Sequence, residues 1–138
     1  MSMFIALALL QSASPLSAEV VPASAKAVVD HIDALYKGDM DRALSFVSKN
    51  VENSVSDLKS NLHFPSGPMV TKAMYLSMTR KGTLSLSSFD CKPEDVAVRC
   101  DMIFGAGKKS RNYTMRYWAD GGPITRVYSW ENHDREAK

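Results

Sequence analysis

The stretch SAKAVVDHIDALYKGDMDRALSFV, residues 24–47, governs the reading of the whole chain. Apolar residues recur at Ala25, Val28, Val29, Ile32, Leu35 and Tyr36, the i, i+3, i+4, i+7 spacing of one helix face. Lys26, Asp30, Asp33 and Lys37 fall on the other face. Ser24 suits an N-cap, where its hydroxyl accepts an unpaired first-turn N–H. Gly38 suits the position after the helix, since glycine enters the left-handed region without a Cβ clash. Asp39 then caps a second, shorter helix with Met40, Ala43, Leu44 and Val47 on one side. The prediction is two helices joined by a tight Gly-Asp break, with an apolar face that needs a core to cover.

Downstream the period changes. Val51, Asn53 and Val55 alternate with Glu52, Ser54 and Ser56, which predicts a short strand, and Leu58, Leu62 and Phe64 suggest another piece. The Pro- and Gly-rich residues 63–68 read as a loop, and residues 68–81 as a third helix closed by Gly82. From Thr83 the pattern is strand. Residues 83–90 slip parity between Leu86 and Phe89, which predicts a bulge. Val96, Val98, Cys100, Met102 and Phe104 form one face of the next strand. Residues 105–108 form a turn, residues 110–119 a strand, residues 120–123 a second turn, and residues 124–132 the last strand. Tyr113, Met115 and Tyr117 share one face of their strand, and Asn112, Thr114, Arg116 and Trp118 the other. Helices first and then turn-linked strands predict an α+β architecture, a curved, mostly antiparallel sheet closed by the N-terminal helices.

The chain has 138 residues, 45% of them hydrophobic, 23% charged, with a net charge of +2. That describes one ordinary domain. Lys and Arg are scattered, so nucleic acid is not an expected partner. The densest basic run, Lys108, Lys109 and Arg111, reads as a solvated turn and not as a phosphate site.

Residues 1–18 carry no charged side chain; an apolar run from Met3 to Leu10 is followed by small and polar residues up to Ala18. This reads as a secretory signal peptide cleaved after Ala18, with a second candidate site after Ala25. It lacks the usual basic start, and a buried N-terminal helix is the alternative. The expectation is signal 1–18, linker 19–23, domain 24–132 and polar tail 133–138, an exported protein, periplasmic or secreted, with no membrane association after cleavage. The apolar run is too short to span a bilayer.

Cys91 and Cys100 are candidates for a disulfide, since an even count in an exported chain favours one. A hairpin turn at Pro93-Glu94-Asp95 would set residue 92 opposite 96 and leave the two cysteines out of register. Two separate thiols are the alternative. No metal site is expected, because no paired His accompany the cysteines at ligand spacing. No cofactor motif is present.

Three local motifs together resemble the NTF2-like, or SnoaL-like, superfamily of cone-shaped α+β domains. They are Ala34-Leu35-Tyr36-Lys37-Gly38-Asp39-Met40-Asp41, Leu44-Ser45-Phe46 with Val51-Glu52-Asn53, and the ending from Ala119 to Tyr128. The likeness covers roughly residues 24–132 and implies fold more than function, because this fold hosts enzymes, binders and assembly modules. In ketosteroid isomerases of the superfamily a first-helix Tyr, a carboxylate base and a later protonated Asp do the chemistry. The corresponding positions here are His31, Asn53 and, on a later strand, Asp101. Asn exchanges no proton at neutral pH, so the likeness argues against isomerase chemistry.

His31 and His63 remain candidate acid–base residues, each with a surface or rim position as the alternative. A dehydratase of this fold needs two His and an Asp around one water, for which His31, His63 and either Asp57 or Asp101 are the candidates. The aromatic side chains point to a pocket. Tyr36, Asn53, Tyr75, Tyr113, Tyr117, Tyr128 and Trp130 are the expected ligand-binding residues for a small apolar molecule, ordinary core packing being the alternative. Asn112, Thr114, Arg116 and Trp118 offer a surface for homodimerisation through the sheet.

Overall fold

The computed structural model describes residues 23–56, 61–78 and 85–132, with the side chains of residues 61, 62 and 109 excepted. The expected signal segment 1–18, nearly all of the expected linker and the expected tail lie outside these residues. So do Asp57, the end of the third predicted helix and the start at Thr83 of the strand after it.

Helix α1 runs Lys26–Tyr36 and α2 runs Met40–Leu44. Strands β1 (Val47–Ser56) and β2 (Asn61–Phe64) follow, then α3 (Pro68–Ser77). The last four strands are β3 (Leu86–Glu94), β4 (Ala97–Phe104), β5 (Arg111–Trp118) and β6 (Ile124–Glu131). The six strands form one curved, open sheet in the order β2-β1-β6-β5-β4-β3. All neighbours are antiparallel except β1 and β6, which run parallel.

The break between the first helices forms as read. Gly38 sits at φ 77°, and its N–H donates to Leu35 C=O. Asp39 accepts the Arg42 N–H at 3.1 Å and caps α2. Lys26 reaches Asp30 at 2.7 Å and Lys37 reaches Asp33 at 3.1 Å along the solvent face. The inward stripe of α1 differs from the prediction. It is Val28, His31, Ile32 and Leu35, all fully buried, whereas Val29 is half-buried and Tyr36 is 40% exposed. Burial of each large aliphatic side chain here stabilises the fold by about 1.5–3 kcal/mol.

Ser24 does not cap α1. The helix opens at Lys26 after a 3₁₀ turn over Ala23–Ala25, and the N-cap position is Ala25, with no side-chain bond. The Ser24 carbonyl instead accepts the Gly121 N–H at 2.8 Å, which ties the helix start to the β5–β6 turn. The strand after the second helix is longer than expected, ten residues from Val47, with a register shift between Val47 and Glu52. The bulge in β3 falls between Leu86 and Ser88.

The β3–β4 turn also departs from the reading. Glu94 pairs with Ala97, so the turn residues are Asp95 and Val96, and β3 continues through Pro93. Asp95 holds φ 58°, as the first central residue of a II′-type hairpin turn requires. Pro93 is tolerated because β3 is an edge strand. With this turn Cys91 is directly opposite Cys100, and the two form a disulfide with Cα atoms 4.0 Å apart. The register objection to the bridge is thereby removed.

The inner face of the sheet packs on the helices. Val51, Val98, Cys100, Met102, Phe104, Met115, Tyr117 and Val127 join the α1 stripe, Met74 and Tyr75 in one core cluster.

Candidate functional site

Three side chains meet at the centre of this core. His31 comes from α1, Tyr75 from α3 and Tyr117 from β5, and all three are fully buried. His31 Nδ1 lies 2.7 Å from the Ala43 carbonyl, and His31 Nε2 lies 2.7 Å from the Tyr75 hydroxyl. The Tyr75 and Tyr117 hydroxyls are 2.6 Å apart.

Elimination orders the protons. A carbonyl only accepts, so Nδ1 carries the hydrogen and donates to Ala43. Neutral His31 then accepts at Nε2, and the donor is Tyr75. The Tyr75 proton is thus used, so Tyr117 donates to the Tyr75 oxygen. The chain runs one way, from Tyr117 through Tyr75 and His31 to Ala43. Met102 Sδ, 3.7 Å from the Tyr117 hydroxyl, is a weaker neighbour.

Burial sets the charge states. Desolvation lowers the His31 pKa to about 4, against a smaller opposing effect of the Ala43 carbonyl. Desolvation, then the adjacent Tyr117, push the Tyr75 hydroxyl well above its ordinary range, and desolvation also raises Tyr117. At neutral pH the three groups are uncharged, and each hydrogen-bonds within the chain. Such a chain fixes side-chain positions and has no poised base.

Asn53 is buried on the inner face of β1 and is also held fast. Its Oδ1 accepts the Thr71 hydroxyl at 2.6 Å, and its Nδ2 donates to the Val51 and Gly67 carbonyls, both at 3.3 Å. Glu52 projects from the opposite face beside Arg126, as strand parity requires.

The remaining predicted residues scatter. Tyr113 is buried on the inner face with its ring edge-on to Phe104, 6.0 Å between centroids. Tyr36 lies at the margin against Phe89, at 5.4 Å. Tyr128 and Trp130 alternate out of the inner face and line grooves on the outer side of the sheet. His63 lies opposite Ser54, on that outer side. Asp101 is there too, accepting the Thr114 hydroxyl at 2.9 Å and lying 3.6 Å from Arg99. The two histidines therefore stand on opposite faces of the sheet, and the dehydratase-type convergence is not formed. His31 is not a rim residue either. Its spacing of three from Val28 and four from Leu35 was the available signal, masked by the residue's polarity. Nothing in the pattern foretold its partners, which come from distant elements.

Among the described residues, concave sites open to solvent lie both at the end of the cone and on the outer sheet face. One of about 430 Å³ lies at the end of the cone, where Ala25, Val98 and Tyr117 meet a rim that includes Asp95, Asp120 and Thr125. Two others, of about 470 and 240 Å³, lie on the outer sheet face and share Arg116 and Tyr128. Among the described residues no three His, Cys, Asp or Glu side chains are grouped to hold a metal ion. Among those residues, too, no helix is long and apolar enough to cross a membrane.

No protein-family model matches the chain. No curated protein matches it. Solved structures do. A Xanthomonas campestris protein of unknown function with a cystatin-like fold superposes with a TM-score of 0.61 at 17% identity, covering 83% of this chain and 94% of that one. An NTF2-like protein of unknown function from Burkholderia xenovorans gives 0.58 at 12% identity, covering 80% and 83%. A Kribbella flavida protein provisionally named a ketosteroid isomerase gives 0.58 at 8% identity, covering 80% and 78%. At such identities the likeness establishes the fold, which is the NTF2-like cone.

Proposed function

We propose that the chain is an exported binding module that takes a small apolar molecule at the end of its cone and performs no chemistry on it. The observation that carries this reading is the hydrogen bonding of the interior. His31, Tyr75, Tyr117 and Asn53 are all engaged with protein partners, so none of these four is free to act as a base toward the groove. The groove at the cone's end, walled by Ala25, Val98 and Tyr117, is of the size that holds small ligands. The Cys91–Cys100 bridge and the uncharged, apolar leading segment support export.

A neutral fluorescent probe, N-phenyl-1-naphthylamine, tests the reading on the purified protein. Saturable binding with enhanced emission is expected, weakened about tenfold by Val98→Trp, which fills the groove. Thr125→Trp, at the exposed rim, is a second blocking variant that leaves the core intact. Binding indifferent to both variants sinks the assignment. Turnover of a β,γ-unsaturated ketone, lost in His31→Gln, would replace it with an enzyme.

A further inference from the structure

The groove at the cone's end has a charge pattern that its apolar walls do not explain. The β3–β4 turn brings Asp95 and Val96 to it, and the β5–β6 turn brings Asp120. Strand pairing holds these turns side by side, because β4 begins where β5 ends, Val98 against Tyr117. Asp95 holds φ 58°, a conformation that Asp and Asn adopt more readily than most residues. The turn carrying Asp120 is anchored by the Gly121 N–H, which donates to the Ser24 carbonyl at 2.8 Å.

Both aspartates are exposed, and neither makes an ion pair or a side-chain hydrogen bond among the described residues. No Lys, Arg or His lines the groove. None precedes Lys26 in the sequence either, so the chain leading into Ser24 brings no basic side chain to this end. The net charge of the whole chain is +2, so this mouth has the opposite sign to the molecule. The Thr125 hydroxyl donates to the Trp118 carbonyl at 3.3 Å, and the Tyr117 hydroxyl is turned to Tyr75 in the core. The carboxylates are thus the charged acceptors that the groove offers. Beside them Val96, 73% exposed, carries the apolar wall of Ala97 and Val98 out to the mouth.

We propose that the ligand of this groove, on the assignment of the groove as the binding site made above, is an amphiphilic cation, an amine on an apolar body. The body covers Val96, Ala97 and Val98, and the ammonium stays at the rim between Asp95 and Asp120. There it keeps part of its hydration, so the large cost of burying a charge is avoided. The two carboxylates also concentrate cations at the mouth and repel an anion of the same shape.

The probes are 1-naphthylmethylamine, a cation at neutral pH, and 1-naphthylmethanol, its neutral counterpart, titrated calorimetrically into the full protein. The amine is expected to bind about fivefold more tightly at low salt, with the margin shrinking at high salt. Asp95→Asn combined with Asp120→Asn removes the margin, and asparagine suits the positive φ at position 95. Glu52→Gln, which removes an exposed carboxylate on the outer face, leaves the margin in place. Equal affinity of the two probes, each weakened by Thr125→Trp, keeps the groove as a binding site and overturns its preference for a cation. Amine binding that ignores Thr125→Trp, or a margin that survives the double Asn variant, places the cation elsewhere and overturns the proposal. No binding by either probe overturns the assignment of the groove and this proposal together.

Discussion

Tyr75 donates its hydroxyl proton to His31 Nε2 across 2.7 Å, and the same hydroxyl oxygen accepts from Tyr117. The two tyrosines are therefore not equivalent, although both are fully buried. Tyr75→Phe leaves His31 Nε2 buried without a donor and Tyr117 without its acceptor. Tyr117→Phe removes one bond and strands no buried acceptor of the histidine. The expected losses are about 2–3 kcal/mol for the first and about 1 kcal/mol for the second, read from urea unfolding midpoints. Equal losses would mean that the proton order is otherwise.

His31 makes stability depend on pH with a definite sign. Burial lowers its folded pKa to about 4 from the ordinary 6.5 of a histidine. Between these values the unfolded chain binds the proton and the folded one does not. The stabilisation is therefore complete above about 6.5, falls as pH drops toward about 4, and changes no further below that. Over the window the loss approaches roughly 3 kcal/mol. His31→Gln should flatten the dependence between about pH 5 and 6.5, where carboxylates contribute little. A mutant that keeps the wild-type slope assigns it elsewhere.

Restoring a carboxylate at position 53 should harm the fold. Asn53 is 2% exposed and donates to two carbonyls. Asn53→Asp sets a buried anion against those same oxygens. The expected cost is about 3 kcal/mol at neutral pH, partly recovered in acid as the carboxyl is protonated and regains a donor. Thr71→Val, which removes only the 2.6 Å donor to Asn53, should cost about 1 kcal/mol. Thermal melts at two pH values separate the two effects.

The Cys91–Cys100 bridge closes a short loop of sequence separation nine. A loop of that size stabilises by about 2–3 kcal/mol through the unfolded chain. Replacing both residues by Ala adds a cavity loss, because both are buried in the core cluster. Reductant should lower the melting midpoint of the native protein and raise its intact mass by two hydrogen atoms. No mass change on reduction would mean the thiols are free.

Much of the fold was legible because its signals are local. Gly38 and Asp39 form the helix break they predict, and the alternation from Val98 to Phe104 gives a strand with the correct inner face. The β3–β4 turn was misread because Pro93 draws attention as a turn former, whereas an edge strand accommodates it and Asp95 takes the positive φ. The site was less legible, for the reason that pairing between distant segments is not written in any one of them. His31 reads as polar and is core. Tyr128 reads as a companion of Tyr117 and faces the other way. Arg99 and Arg116 are unremarkable apart and become neighbours only when β4 and β5 set them opposite each other.

The parallel pairing of β1 with β6 constrains when the molecule can exist in finished form. Strands β3 to β6 are a meander that pairs neighbour to neighbour, but β1 and β2 join the sheet only through β6. The closing register, Asn53 against Val127 and Ser54 against Tyr128, spans more than half the chain. Contacts of such sequence separation form late. A chain emerging from its N-terminus at a ribosome holds the first two strands unpaired with their final neighbour until residues 124–131 are free. Completion of the domain is thereby deferred until that last strand is available, whatever the first two have already formed.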